Sequence, residues 1–247
     1  MARNSKRKKK IKISLIYCTP DPVRAIALGA RVSVTTKSIF DVYSDLKEDE
    51  AQELVKRLYK MGHHTPFEHV SFTFGVENIS RSCSHQLVRH RIASFTQKSQ
   101  RYTRFGMRSR DSESNKRVEI EDLYVFPQTF QKHPSILTKY RDYLELGRRL
   151  YEDLLSKGVP AEDARYILPN SAHTSLVMTM NFRELMHASN LRLCQRAQWE
   201  IRSIFEEIKV RVFEVSPFLS EFLYPKCEIT GYCNEEKSCG RKPKKES

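Results

Sequence analysis

The cleanest hydrophobic pattern in the chain is an alternation over residues 70–76. Val70, Phe72, Phe74 and Val76 face one way, and Ser71, Thr73 and Gly75 face the other. A period of two with one apolar face predicts a half-buried antiparallel strand. A shorter β-rich run, 11–17, predicts a second strand, ended by Pro20 and Pro22; Pro22 suits the first turn of a helix reaching about residue 32. Residues 34–43 have little periodicity. Asp45 can cap a helix over 47–61, with Leu46, Leu54 and Leu58 on its apolar side and Gly62 placed to end it. Asn78 can cap a helix carrying 80–91. Residues 94–101 then read as a loop, and the polar stretch 102–117 as a mobile one. A weak strand is expected over 118–126. Pro134 opens a long amphipathic helix to residue 156, stopped by Gly158, and Pro160 starts a short one that ends at Leu168-Pro169. Residues 176–180 read as a buried strand. From 170 to 216 there is no Gly or Pro, and a single long helix from 181 to 215 is expected. These elements add up to an α+β fold, a mostly antiparallel central sheet flanked by long helices, with a smaller helical part.

Composition narrows this little. At 247 residues and 39% hydrophobic, the chain suits one sizeable domain or two small ones. No run of about eighteen apolar residues occurs, and no apolar core follows the basic N-terminus, so a cytoplasmic protein is expected. The division expected is a basic arm over 1–10, a main domain over 11–226 and a Cys/Lys-rich tail over 227–247. The net charge of +13 calls for an anionic partner, nucleic acid or a phosphorylated small molecule. Much of the excess lies in the two ends: Arg3 and the run Lys6–Lys10, then Arg241, Lys242, Lys244 and Lys245. Of six cysteines, Cys227, Cys233 and Cys239 are evenly spaced near the end. Three thiols are one short of a structural zinc set and match no common zinc spacing, so no metal is expected.

Three stretches carry candidate chemistry. Between Arg89 and Arg101, thirteen residues hold Arg89, Arg91, Lys98 and Arg101, with His90, Ser94, Thr96, Gln97, Ser99 and Gln100 among them. Guanidinium forks, hydroxyls and amides are what phosphate oxygens and pyrimidine edges take. The alternative is a solvated basic face, but no Asp or Glu occurs between Glu77 and Asp111 to pair it. On the expected helix, Gln86, Arg89 and His90 stand at i, i+3 and i+4 and share a face. The second stretch, His63-His64-Thr65-Pro66-Phe67-Glu68-His69, holds three histidines, but Pro66 breaks any regular element that could align them on a metal. The third runs from Asn181 to Glu200. At about 100° per residue, Arg183, His187 and Asn190 share one face. Polar groups on several faces, interleaved with Leu185, Met186, Leu191 and Trp199, suggest a helix buried on most sides.

The first stretch, read as Arg89-His90-Arg91-x-x-Ser94-x-x-x-x-Ser99-x-Arg101, resembles the signature of the flavin-dependent thymidylate synthases. So does the histidine box, with His64 where the family has Glu. So does Asn181-x-Arg183-x-Leu185, followed by Asn190-Leu191-Arg192 and Ala197-Gln198-Trp199-Glu200. Further departures are Thr96 for Asn, Gln97 for Glu and His187 for Asn.

The resemblance implies an enzyme that methylates dUMP to dTMP through bound FAD, with 5,10-methylenetetrahydrofolate as carbon donor and NADPH as reductant. It implies a homotetramer with active sites between subunits. It places His63, Thr65, Glu68, Arg89, His90, Arg91, Gln97, Asn181, Arg183 and His187 at the flavin. It places Gln86, Arg89, Gln97, Ser99, Gln100, Arg101, Arg165 and Arg192 at dUMP, with Arg192 on the uracil ring as the catalytic cation. No glycine-rich dinucleotide turn is present, so polar side chains must hold the FAD. The rival reading is a basic nucleic-acid-binding protein, which the charge and the arginines favour and the histidine box does not.

Overall fold

A computed structural model describes residues 10–106 and 118–245. The basic run before Lys10 and residues 107–117 of the expected mobile loop lie outside the described residues. In chain order the elements begin with β1 (Lys12–Cys18), α1 (Pro22–Arg31), α2 (Ile39–Asp45), α3 (Glu48–Lys60), β2 (Ser71–Ser80), α4 (Arg81–Leu87) and β3 (Ala93–Gln97). They continue with α5 (Pro134–Ser156), α6 (Ala161–Ala164), β4 (His173–Asn181), α7 (Phe182–Arg192), α8 (Trp199–Val215), α9 (Pro217–Ser220) and α10 (Lys226–Thr230). The sheet has four antiparallel strands in the order β1-β2-β4-β3, so the α+β expectation holds. By contact density the described chain divides into two compact units, residues 10–12, 76–85, 96–106 and 118–176, and residues 13–75, 86–95 and 177–245.

In the second unit, α1 starts at Pro22 and buries Val23, Ile26 and Ala27. Gly29 is a close-approach position: a Cβ there would lie 2.7 Å from the His69 ring, so only glycine lets α1 sit against the turn that carries the histidine box. That turn is a 3-10 segment, Thr65–His69, entered through Gly62 at φ 76. Phe67, Phe182, Phe222 and Tyr59 form an aromatic cluster beneath it, with Tyr59 stacked on His64 at 5.2 Å. In the first unit, Ile120, Leu123, Tyr124, Phe126, Leu144 and Ala172 make a separate core under α5.

Four expectations fail, each for a reason of packing. The helix expected over 80–91 runs only from Arg81 to Leu87. Asn78 does not cap it; at φ 62 it takes a left-handed conformation inside β2, which Asn tolerates, and the Ser80 hydroxyl accepts the Cys83 N–H instead (2.9 Å). Arg89 and His90 therefore lie past the helix end, and the shared face expected for Gln86, Arg89 and His90 does not form. Residues 94–97, expected in a loop, belong to β3. The single helix expected over 181–215 is two, because the Gln198 side chain accepts the Glu200 and Ile201 N–H groups and starts α8 afresh. Residues 118–126 form a 3-10 turn and one bridge, Tyr124 to Ala172, rather than a strand. A helix that periodicity did not signal, α2, is capped by the Ser38 hydroxyl on the Asp41 N–H. The tail expected from residue 227 begins inside α10. Among the described residues no helix is long and apolar enough to cross a membrane.

Candidate active site

In the second unit, two cavities share His64 and Arg183 on their walls. The larger, about 900 Å³, has His63 and Thr65 on its wall; the smaller, about 600 Å³, has Glu68, Asn181, His187 and Asn190. The face expected for Arg183, His187 and Asn190 is thus formed and turned into a cavity. Arg183 is ion-paired through one Nη to Glu68. Among the described residues its other N–H groups remain open to a ligand. Asn181 caps α7, its Oδ1 accepting the Glu184 N–H at 2.9 Å; that uses its oxygen and leaves its NH₂. Among the described residues the Oδ1 of Asn190 is buried with no hydrogen-bond partner, an acceptor that a ligand N–H or O–H would satisfy. A guanidinium with spare donors, amides, imidazoles and the apolar Met186 and Ile92 fit a flavin dinucleotide, which has one polar-edged apolar ring and one anionic pyrophosphate.

His90 sits elsewhere than expected. It is 5% exposed, whereas its neighbours Arg89 and Arg91 are exposed. Both its ring nitrogens are engaged by protein: Arg192 Nε donates to Nε2 at 3.0 Å, and Nδ1 lies 3.3 Å from Glu184 Oε1. A guanidinium N–H can only donate, so Nε2 is bare, the proton is on Nδ1, and His90 donates it to Glu184. Burial, then the charges of Arg192 and His187, push the His90 pKa down to about 4. Burial also raises the Glu184 carboxyl above its ordinary value. The His90 ring links Glu184 to Arg192, so neither ring nitrogen is left to bond the flavin expected beside it. Among the predicted dUMP residues, Gln86, Arg89 and Arg192 belong to this unit.

The other predicted dUMP residues belong to the first unit. Arg101 Nε pairs with Glu162 Oε2 at 2.8 Å, and Arg165 Nε donates to the Glu162 carbonyl at 3.0 Å. Both guanidinium groups thus gather at one residue. Burial and then the charge of Arg165 lower the pKa of Arg81, a third guanidinium that sequence reasoning passed over as a helix residue. The Ser99 hydroxyl accepts the Arg101 backbone N–H at 3.1 Å. The Gln97 amide nitrogen is committed to Ser84 and Thr174 at 2.8 and 3.1 Å, so only its oxygen is left for a ligand. Gln100 borders a cavity of about 380 Å³ together with Lys98 and Arg104.

The sequence profile of the thymidylate synthase complementing proteins matches residues 14–218. A flavin-dependent thymidylate synthase of Geobacter sulfurreducens is 40% identical over 236 residues, 94% of this chain and 94% of its own. One of Pyrococcus abyssi is 38% identical over 230 residues, 91% of this chain and 90% of its own. Among solved structures, the UMP/dUMP methylase PolB of Streptomyces cacaoi bound with 5-Br dUMP superposes with a TM-score of 0.71 at 25% identity, covering 86% of this chain and 94% of that one. On the span of the profile and the identity to full-length relatives, this chain belongs to the flavin-dependent thymidylate synthases, the thymidylate synthase complementing protein family.

Proposed function

We propose that the chain methylates dUMP at C5 to give dTMP, with 5,10-methylenetetrahydrofolate as carbon donor and NADPH as reductant. When bound, FAD supplies the two-electron chemistry that the transferred carbon needs. Arg183, with Glu68 orienting it, would hold the flavin together with His63, Thr65, Asn181 and His187, and the exposed Arg89 and Arg91 would neutralise its pyrophosphate. Asn190 joins this set through its unsatisfied oxygen. The phosphate and sugar of dUMP fall to Gln86, Arg89, Ser99, Gln100, Arg101 and Arg165, with Gln97 contributing its amide oxygen and Arg81 adding charge. The enzyme acts in the cytoplasm as a homotetramer with active sites between subunits, so Arg89 and Arg192 serve different copies' nucleotides. The exposed Phe40, Ile92 and Tyr166 give such an assembly apolar surface to cover.

The observation that carries the mechanism is the holding of Arg192. Uracil C5 is a poor nucleophile until its ring is polarised, and a cation at the N3–O edge stabilises the enolate-like form. Glu184 accepts from His90, and His90 accepts from Arg192 Nε, which fixes the plane of the guanidinium proposed to meet the ring. The test is single-turnover conversion of dUMP by the purified protein. It should carry flavin absorbance, and dTMP should form only with all three substrates present. A protein that cannot be loaded with flavin, or that makes no dTMP, would refute the reading.

A further inference from the structure

Four of the six cysteines, Cys194, Cys227, Cys233 and Cys239, line one small cavity of about 80 Å³ in the second unit. Cys18 and Cys83 do not. The fourth thiol, which the evenly spaced tail set lacks, comes from Cys194, 33 positions before Cys227, at the break between α7 and α8. We propose that these four cysteines form a tetrathiolate site for one zinc ion.

The backbone around them is built for it. Cys194 Sγ accepts the N–H of Arg196 at 3.4 Å, the kind of outer bond that orients a thiolate ligand. The tail folds back so that its three thiols border the same cavity as Cys194. Glu228, next to Cys227, holds Arg241 at 2.8 Å and Lys242 at 3.0 Å, which draws the segment after Cys239 onto α10. The Cys233 N–H donates to the Pro243 carbonyl at 2.7 Å. Gly240, directly after Cys239, takes φ 83, which gives a turn without a Cβ at the ligand's shoulder.

Two physical arguments favour a metal over four unrelated thiols. The segment from Lys226 to Lys245 is mostly polar and has little apolar surface with which to fold, so a cross-link accounts for its order. The charges also match. Four thiolates with Zn²⁺ carry a net charge of −2, and Arg196, Lys226, Arg241 and Lys242 stand on the same cavity wall. Among the described residues the four are free thiols and no three ligands yet stand at coordinating distances. Closing the site asks the exposed Cys239 to turn inward until each Zn–S bond reaches about 2.3 Å. Tetrahedral sulfur ligation selects zinc or iron–sulfur, and a cavity this small favours the single ion.

The test is elemental analysis of the full-length protein, purified without added metal or a histidine tag. One zinc per chain is expected, released when a mercurial blocks the thiols. In competition with a chromophoric chelator, Cys239→Ser and Cys194→Ser should each weaken zinc by at least about a hundredfold, since even outer-shell changes cost up to that much. Cys18→Ser should keep its zinc. Four freely reactive thiols without metal, a disulfide among them by mass, or iron with acid-labile sulfide would each overturn the proposal. So would a Cys194→Ser protein that keeps its zinc, because the tail would then bind without the fourth ligand.

Discussion

His90→Ala is the substitution that separates two roles for one histidine. The family signature puts this residue at the flavin, whereas its ring nitrogens are bonded to Glu184 and Arg192. The Arg192 Nε to His90 Nε2 bond of 3.0 Å has a charged donor, and such bonds are worth about 1.5–3 kcal/mol. Converted at about 1.4 kcal/mol per factor of ten, losing it should cost Arg192 its placement by roughly one to two orders of magnitude. The ceiling is the loss of Arg192 itself, about 10²–10³ in rate. His90→Ala should therefore slow single-turnover dTMP formation by about ten- to a hundredfold while flavin content stays at one per chain. His90→Gln, whose amide oxygen can accept from Arg192, should recover part of the loss. Because burial and the Arg192 charge keep His90 neutral down to about pH 4, the rate profile between about pH 5.5 and 8 should show no limb from this imidazole. Two results would refute the reasoning: His90→Ala at full rate while Arg192→Ala is impaired, or His90→Ala purified without flavin.

The same histidine sets a stability prediction. Its folded pKa is depressed from 6.5 to about 4, so the unfolded chain binds a proton that the folded one refuses, and stability falls as pH drops through that window, by about 3 kcal/mol in full. Glu184, whose pKa is raised, works in the opposite sense, so thermal melts from about pH 7 to 4 should lose more stability in Glu184→Gln than in wild type, and less in His90→Gln. Arg192→Ala should keep its flavin and its NADPH oxidation but form dTMP at least about a hundredfold more slowly, with Lys recovering only part because it offers no planar fork; Ser99→Ala should be milder. Arg183→Ala should weaken FAD about ten- to a hundredfold in equilibrium titration, as losing a charged hydrogen bond does. Deleting residues 1–9 should leave dUMP turnover unchanged, since a lysine run without apolar residues has nothing to pack into a site.

Much of the fold was legible because period and punctuation agreed. The alternation around Phe72 and Phe74 gave β2, and Pro134 and Gly158 bracketed α5. What stayed hidden was decided by residues far away in sequence. Helix α4 stops at Leu87 so that His90 can turn inward to Glu184 and Arg192, 94 and 102 positions later. The break between α7 and α8 rests on a capping side chain, Gln198, of a type that seldom signals a helix start. At the site, helical spacing found the face of Arg183, His187 and Asn190. It missed Glu184, whose place three residues after Asn181 reads as a capping box and gives no sign that the carboxylate is buried. It also missed Arg81, which reaches Arg165 only through tertiary packing.

The thiols also bear on how uracil is activated. Attack at C6 needs an accessible sulfur with a lowered pKa. Cys83 is buried, and burial raises the Cys18 thiol. The remaining four face their own small cavity, and none lines the cavities that hold Arg183 and His187. Ser99 has an oxygen occupied by a backbone N–H and, among the described residues, no imidazole or carboxylate bonded to it. What is left is charge. A cation works at a ring edge only if its neighbours hold it in place. A neutral imidazole accepts from the guanidinium and passes the orientation to Glu184 one residue further away. Protonating that imidazole would remove the acceptor and set a second cation beside the first. The burial that keeps His90 neutral therefore preserves the acceptor that holds Arg192 Nε and adds no second cation beside the guanidinium proposed for the uracil ring.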